Sequence, residues 1–220
     1  MDGELQADIP LPDGYGVYGD YDPIWSGDGE SLMIRMRRDP GSSPSEFWLL
    51  PVHGGPARRF AENAGVCCPS YSPDRALVVY VAFSTDGLPG SLLVSPADAP
   101  NAARTVASDI SLASIGRPIW SPAGDLVAVT KGSINDAGTE WTYGLQIVDI
   151  ATGRLTSLRS GRAAQPARAL AFSPDGERIL FNEVGADGMS SLWSVTVDGT
   201  GVPRQVVAGA TWGEWQPTAR

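Results

Sequence analysis

The chain has 220 residues, 42% of them hydrophobic, and a formal net charge of −9. That composition suits a folded globular protein and excludes a disordered tail. The acidity, with no basic run longer than Arg37-Arg38 or Arg58-Arg59, excludes a general nucleic-acid or anionic-membrane surface, and no apolar stretch is long enough to span a bilayer.

The first residues, MDGELQADIPLPDG, have neither the positive n-region nor the apolar h-region of a secretory signal. Leu5–Ile9 reads as the end of a preceding strand unit, and Pro10–Tyr21, with three Gly and two Pro, as a linker. From there one segment recurs. It reads PIWSGDG at Pro23–Gly29, PSYSPDR at Pro69–Arg75, PIWSPAG at Pro118–Gly124 and LAFSPDG at Leu170–Gly176, with a truncated GEWQP at Gly213–Pro217. The aromatic positions Trp25, Tyr71, Trp120, Phe172 and Trp215 lie 46, 49, 52 and 43 residues apart. Such a period suits one four-stranded propeller blade per repeat.

Each residue of Ser173-Pro174-Asp175-Gly176 has a role in a turn. Ser opens it through its hydroxyl, Pro pre-sets φ, Asp accepts hydrogen bonds from nearby backbone N–H groups, and Gly takes the position where φ is positive. The preceding aromatic is an apolar anchor for blade-to-blade packing. Apolar, β-branched-rich runs follow at Leu32–Met36, Ala76–Phe83, Asp125–Thr130 and Arg178–Asn182. Third runs at Phe47–Val52, Leu92–Ala97, Leu145–Ile150 and Leu192–Val197 align without gaps and lead into the turns HGGP, DAPN, ATGR and DGTG. Short last strands are expected at Ala57–Phe60, Arg104–Ala107, Arg154–Leu158 and Pro203–Val207. The predicted fold is an all-β propeller with blades at 22–61, 68–108, 117–159 and 168–208 and a partial fifth at 211–217, after an N-terminal segment at 1–21.

Over Asp22–Pro217 the repeated aromatic-Ser-Pro-Asp-Gly segment resembles the TolB-type propellers, built from WD-like repeats. The pattern is weaker where Gly27 replaces Pro, Arg75 replaces Gly and Ala123 replaces Asp. Propellers of this family typically close with six blades, so the resemblance implies that the chain is part of a larger ring. The alternatives are a complete small propeller, or an arc closed by self-association through its open blade edges. The family's better-known members are periplasmic or secreted, which implies an extracytoplasmic protein. Without a signal sequence, either the protein is cytoplasmic or this chain lacks its natural N-terminus. Functionally the resemblance implies a non-catalytic module that binds a protein or peptide partner.

Asp22, Arg117, Arg168, Trp212 and Glu214 lie just upstream of the repeat aromatics, where residues line the central channel or its mouth. They form either a mixed-charge funnel for a partner segment or ordinary solvated and inter-blade pairs. Gly132–Trp141 reads as the longest loop within a blade. Its Asn135, Asp136, Glu140 and Trp141 form either a binding rim or a plain insertion. His53-Gly54-Gly55-Pro56 looks like the oxyanion-loop motif of prolyl oligopeptidase-type hydrolases. However, His53 aligns with Asp98 and Asp198 at an ordinary turn, is the only histidine, and has no G-x-S-x-G elbow to serve.

Cys67-Cys68 is read as a pair of small buried residues entering an inner strand, because a bond between adjacent cysteines is strained and two soft ligands do not make a zinc site. The turn acids Asp28, Asp74, Asp86, Asp175, Asp187 and Asp198 come one per turn, without the dense alternation of a calcium loop. No cofactor or metal is expected. Two further functions stay open: the propeller half of a prolyl oligopeptidase-like serine hydrolase, and a carbohydrate-binding or carbohydrate-processing propeller with Trp141 and Trp212 as its unassigned aromatics.

Overall fold

A computed structural model of the chain describes residues 9–17, 23–38, 46–61, 65–83, 90–110, 117–134, 141–161, 167–185 and 187–216. The described residues form antiparallel sheets throughout. The first contains β1 (Gly16–Val17), β2 (Ile24–Trp25), β3 (Ser31–Arg37), β4 (Glu46–Pro51) and β5 (Arg58–Arg59), in the order β1-β3-β4-β5 with β2 also on β3. A second meander has β6 (Val66–Tyr71), β7 (Leu77–Ala82), β8 (Gly90–Pro96) and β9 (Arg104–Ile110). A third has β10 (Ile119–Trp120), β11 (Leu126–Ile134), β12 (Trp141–Asp149) and β13 (Leu155–Gly161). A single pairing, Ile110 with Lys131, fuses these two into one eight-stranded sheet. The last sheet runs β14 (Arg168–Phe172), β15 (Arg178–Val184), β16 (Ser190–Thr196) and β17 (Arg204–Ala208).

In each unit the strand after the aromatic is the apolar one, and it is covered on both faces: Met33, Val78, Val79, Val127, Ile179 and Phe181 are buried. Two cores result. One joins the first three units through Met33, Phe60, Tyr80 and Trp120. The other joins the third and fourth through Ala128, Phe172, Ile179 and Phe181.

The turn between the aromatic and this apolar strand is built the same way four times. A buried serine (Ser26, Ser72, Ser121, Ser173) donates its hydroxyl to an aspartate at 2.5 to 2.7 Å. The same oxygen accepts the N–H of the residue that opens the next strand, Ser31, Leu77, Leu126 or Arg178. In three turns the acceptor is the third residue, Asp28, Asp74 or Asp175, which also receives a backbone N–H. In the third turn, where Ala123 stands, Asp125 takes the serine proton instead. The departure in sequence is thus compensated two residues later.

The other two departures form a single adjustment. Pro73 packs beside Gly124 and Pro122 beside Gly176, so each turn's proline meets the next turn's glycine. Between the first and second turns the pair is reversed in kind: Gly27 faces Arg75. Arg75 holds φ +61°, and its guanidinium donates to the Ser26 carbonyl at 3.1 Å. A Cβ at position 27 would lie 2.6 Å from the Arg75 carbonyl oxygen. Only glycine fits the approach that the arginine makes.

Three expectations are corrected. Pro10–Tyr21 is not wholly linker: Gly16 and Val17 pair with Arg37 and Met36. Tyr15 anchors that strand, with its ring 4.8 Å from Trp48 and its hydroxyl donating to Glu46 at 3.1 Å. Gly132–Trp141 is not a loop at its ends, because β11 and β12 stay paired out to Ile134 and Trp141, and the ladder satisfies backbone groups that a loop would leave to water. Cys67 and Cys68 are bonded to each other. Successive strand side chains normally point to opposite faces, but Cys68 adopts φ +62° at a register shift between Cys67 and Ser70, which brings both sulfurs to one side. Both cysteines are buried, as expected. Leu5–Asp8 lies outside the described residues.

The seam between Gly27 and Arg75 can be tested through stability. Gly27→Ala is expected to cost about 1–3 kcal/mol through overpacking. That cost should shrink by at least about 0.5 kcal/mol in an Arg75→Gly background, read from a denaturant double-mutant cycle; strict additivity would disprove the coupling. A second expectation concerns Ser95, which is 2% exposed and whose hydroxyl has no hydrogen-bond partner. Leu50, Val148 and Val195 fill the corresponding ladder positions. Ser95→Val should therefore stabilise by about 1–2 kcal/mol, seen as a rise in Tm.

Candidate functional site

β14 opens with Arg168, which pairs in register with Asn182 of β15. The guanidinium of Arg168 lies over the ring of Trp212 at 5.5 Å from its centroid, and Trp212 is 69% exposed. The segment carrying Trp212 is fastened to the fourth unit at several points. Asn182 Nδ2 donates to the Thr211 carbonyl at 2.9 Å. Gly213 passes so close to Leu192 that a Cβ would come within 2.7 Å of its Cδ1. The indole N–H of Trp215 donates to the Ala171 carbonyl at 3.2 Å. An exposed indole under a fixed guanidinium offers an apolar face and a positive charge together.

Of the residues expected at the channel mouth, the structure brings Arg168 and Trp212 into contact. Glu214 is exposed on the same terminal segment, and Arg117 lies partly buried just before β10 on the neighbouring unit. Asp22, Asn135, Asp136 and Glu140 lie outside the described residues; Trp141 is described only as the first residue of β12.

Sequence reasoning missed three contributors. Asn182 clamps the Thr211 carbonyl, and Glu183 takes a two-pronged bond from Arg159 of the third unit at 2.9 and 3.2 Å. Lys131 meets Asp109 at 3.4 Å where the second and third units join. For Asn182 and Glu183 a signal existed: two polar residues end an otherwise apolar strand, RILFNEV. Nothing comparable marked Asp109.

His53 sits in the turn after β4, exposed, 3.6 Å from Glu30. Among the described residues no group of three or more His, Cys, Asp or Glu is placed to hold a metal ion. The turn acids are already engaged. The serine hydroxyl, and then a backbone N–H, hold the carboxyls of Asp28, Asp74 and Asp175 below the usual aspartate value. Asp149 and Asp198 are lowered too, first by the N–H of Thr152 and of Thr200. No helix among these residues is long and apolar enough to cross a membrane.

No family model matches the chain, and no curated protein does. Solved structures do. A TolB-like protein from Agrobacterium tumefaciens matches with TM-score 0.58 and 23% identity, over 84% of this chain and 60% of its own. An oligogalacturonate lyase in complex with manganese gives 0.64 and 18%, over 90% and 54%. Prolyl oligopeptidase B from Galerina marginata gives 0.63 and 12%, over 89% and 32%. The chain thus spans between a third and three fifths of the proteins it is similar to. These likenesses establish the fold, a β-propeller of the TolB-like kind, and the fold is shared by proteins of unrelated activity.

The lowered turn carboxyls stabilise the fold in full above the unfolded aspartate value, near pH 4. That stabilisation is lost as pH falls through the lower folded values. Wild type should therefore lose Tm below about pH 4 more steeply than Asp74→Asn or Asp175→Asn, with the curves converging in acid. Parallel curves would show that these carboxyls carry no folding linkage.

Proposed function

We propose that the chain is a non-catalytic propeller module that presents a rigid scaffold to a protein or peptide partner, with Arg168 and Trp212 at the centre of the contact. The observation that carries this reading is the fixed guanidinium over an indole that remains 69% exposed. Arg and Trp are the side chains most often found at the energetic centres of interfaces. Glu214, Arg117 and Asp22 extend the mouth around it, and Asn135, Asp136, Glu140 and Trp141 form a rim on the neighbouring unit. Neither nucleic acid nor a membrane is the partner, in keeping with the net charge of −9.

The architecture behind this reading is a WD-like repeat array: four blades at 22–61, 68–108, 117–159 and 168–208, a partial fifth at 211–217, and further blades beyond them. Two observations support the larger ring. Trp120 is 8% exposed and donates its indole N–H to Ser70 of the unit before it. Trp25, in the same place on the first unit, is 49% exposed. An extracytoplasmic location is supported by the Cys67–Cys68 bond, since disulfides persist in oxidising compartments.

A sugar-binding or hydrolase-linked propeller is the competing class, with the lyase and oligopeptidase likenesses on its side. In a pull-down from the source organism, the double variant Arg168→Ala, Trp212→Ala should lose captured partner by about 30-fold, the effect of an interface hot spot. Identical capture, or turnover of generic peptidase, esterase or glycosidase substrates above a Glu214→Ala control, would refute the reading.

A further inference from the structure

The segment Gly213–Gln216 is an inner strand without a blade. Trp215 seats on Ala171 of the fourth unit as Trp120 seats on Ser70 of the second. In both cases the accepting carbonyl belongs to the residue just before the previous unit's aromatic. Yet Gly213–Gln216 joins no sheet and makes no backbone–backbone hydrogen bond among the described residues. Its peptide groups are held in place and left open.

The four complete units show what covers such a strand. Opposite the aromatic stand Leu32, Val78, Val127 and Ile179; opposite the residue before it stand Met33, Val79, Ala128 and Leu180. All eight are apolar. The residue after each aromatic, always serine, donates its N–H to the first carbonyl of that covering strand at 2.8 to 2.9 Å. Gln216 occupies this position in the fifth copy.

We propose that Gly213–Gln216 is a docking edge that takes an extended apolar segment of another polypeptide by antiparallel strand addition, two consecutive apolar residues lying opposite Trp215 and Glu214. Main-chain hydrogen bonds give such a contact its affinity and the side-chain pockets its selectivity. A second copy of this chain has no strand of this kind to offer, because β3, β7, β11 and β15 are each paired along both edges. The proposal rests on the binding-module reading and specifies the chemistry of the partner.

The probe is a fluorescein-labelled peptide with the sequence of Glu177–Val184, ERILFNEV, titrated with the full chain and read by anisotropy. Saturable binding is expected, at least tenfold weaker to Trp215→Ala, whose melt must match wild type. A peptide with prolines in place of Ile179 and Leu180 should not bind. This control leaves the protein untouched, so it stands even where Trp215→Ala unfolds. Absence of binding, equal affinity for the proline peptide, or equal affinity of a folded Trp215→Ala would overturn the proposal. A concentration-dependent dimer that disappears in Trp215→Ala would do so too, since the strand would then come from a second copy. Arg168 and Trp212 report on a different contact, so failure here leaves the binding-module reading standing.

Discussion

Everything in this molecule depends on a buried serine hydroxyl that is used twice. In each complete unit it gives its proton to an aspartate and accepts the N–H that opens the apolar strand. A hydroxyl buried this deeply is tolerated only because both capacities are met. The geometry ties the aromatic at the end of one strand to the first apolar residue of the next. The aromatic in turn ties its unit to the one before. A local hydrogen-bond pattern thereby becomes long-range order, and the two cores are stitched from neighbouring units rather than enclosed within any one.

The repeat made this fold legible because turn chemistry leaves strong marks: Ser, Pro, Asp and Gly each appear for a local reason. Legibility failed where the reason was not local. Gly27 and Arg75 looked like two weak matches because their explanation lies between turns, across 48 positions of sequence. Ala123 looked like a loss because its replacement, Asp125, stands outside the four-residue window. The cysteine bond was hidden by an argument made for regular strands, and Cys68 is not in one. Gly16–Val17, two residues in a Gly- and Pro-rich stretch, has no periodicity to detect. Its pairing depends on Tyr15 finding Trp48 and Glu46 on another strand.

The candidate site divides along the same line. Arg168 and Trp212 could be nominated from their positions relative to the repeat, and they meet. Asn182, which holds the chain on which Trp212 is carried, could not, since it acts on a backbone carbonyl 29 positions away. The fold therefore supplies a precise platform, and the chemistry displayed on it comes from residues that the repeat leaves free to vary.

The seam between the first two turns also has a historical reading. If the four turns descend from one duplicated unit with proline second and glycine fourth, the two changes at this seam could not have arisen in either order with equal ease. Arginine arriving at 75 would have faced a proline where the carbonyl now lies 2.6 Å from the position of a Cβ. Glycine at 27 merely opens space. Loss of the proline is thus the permissive step, and arginine the one that closed the gap. Once closed, the gap blocks the way back: restoring proline first would meet the arginine's backbone. A single contact has turned two reversible substitutions into a ratchet.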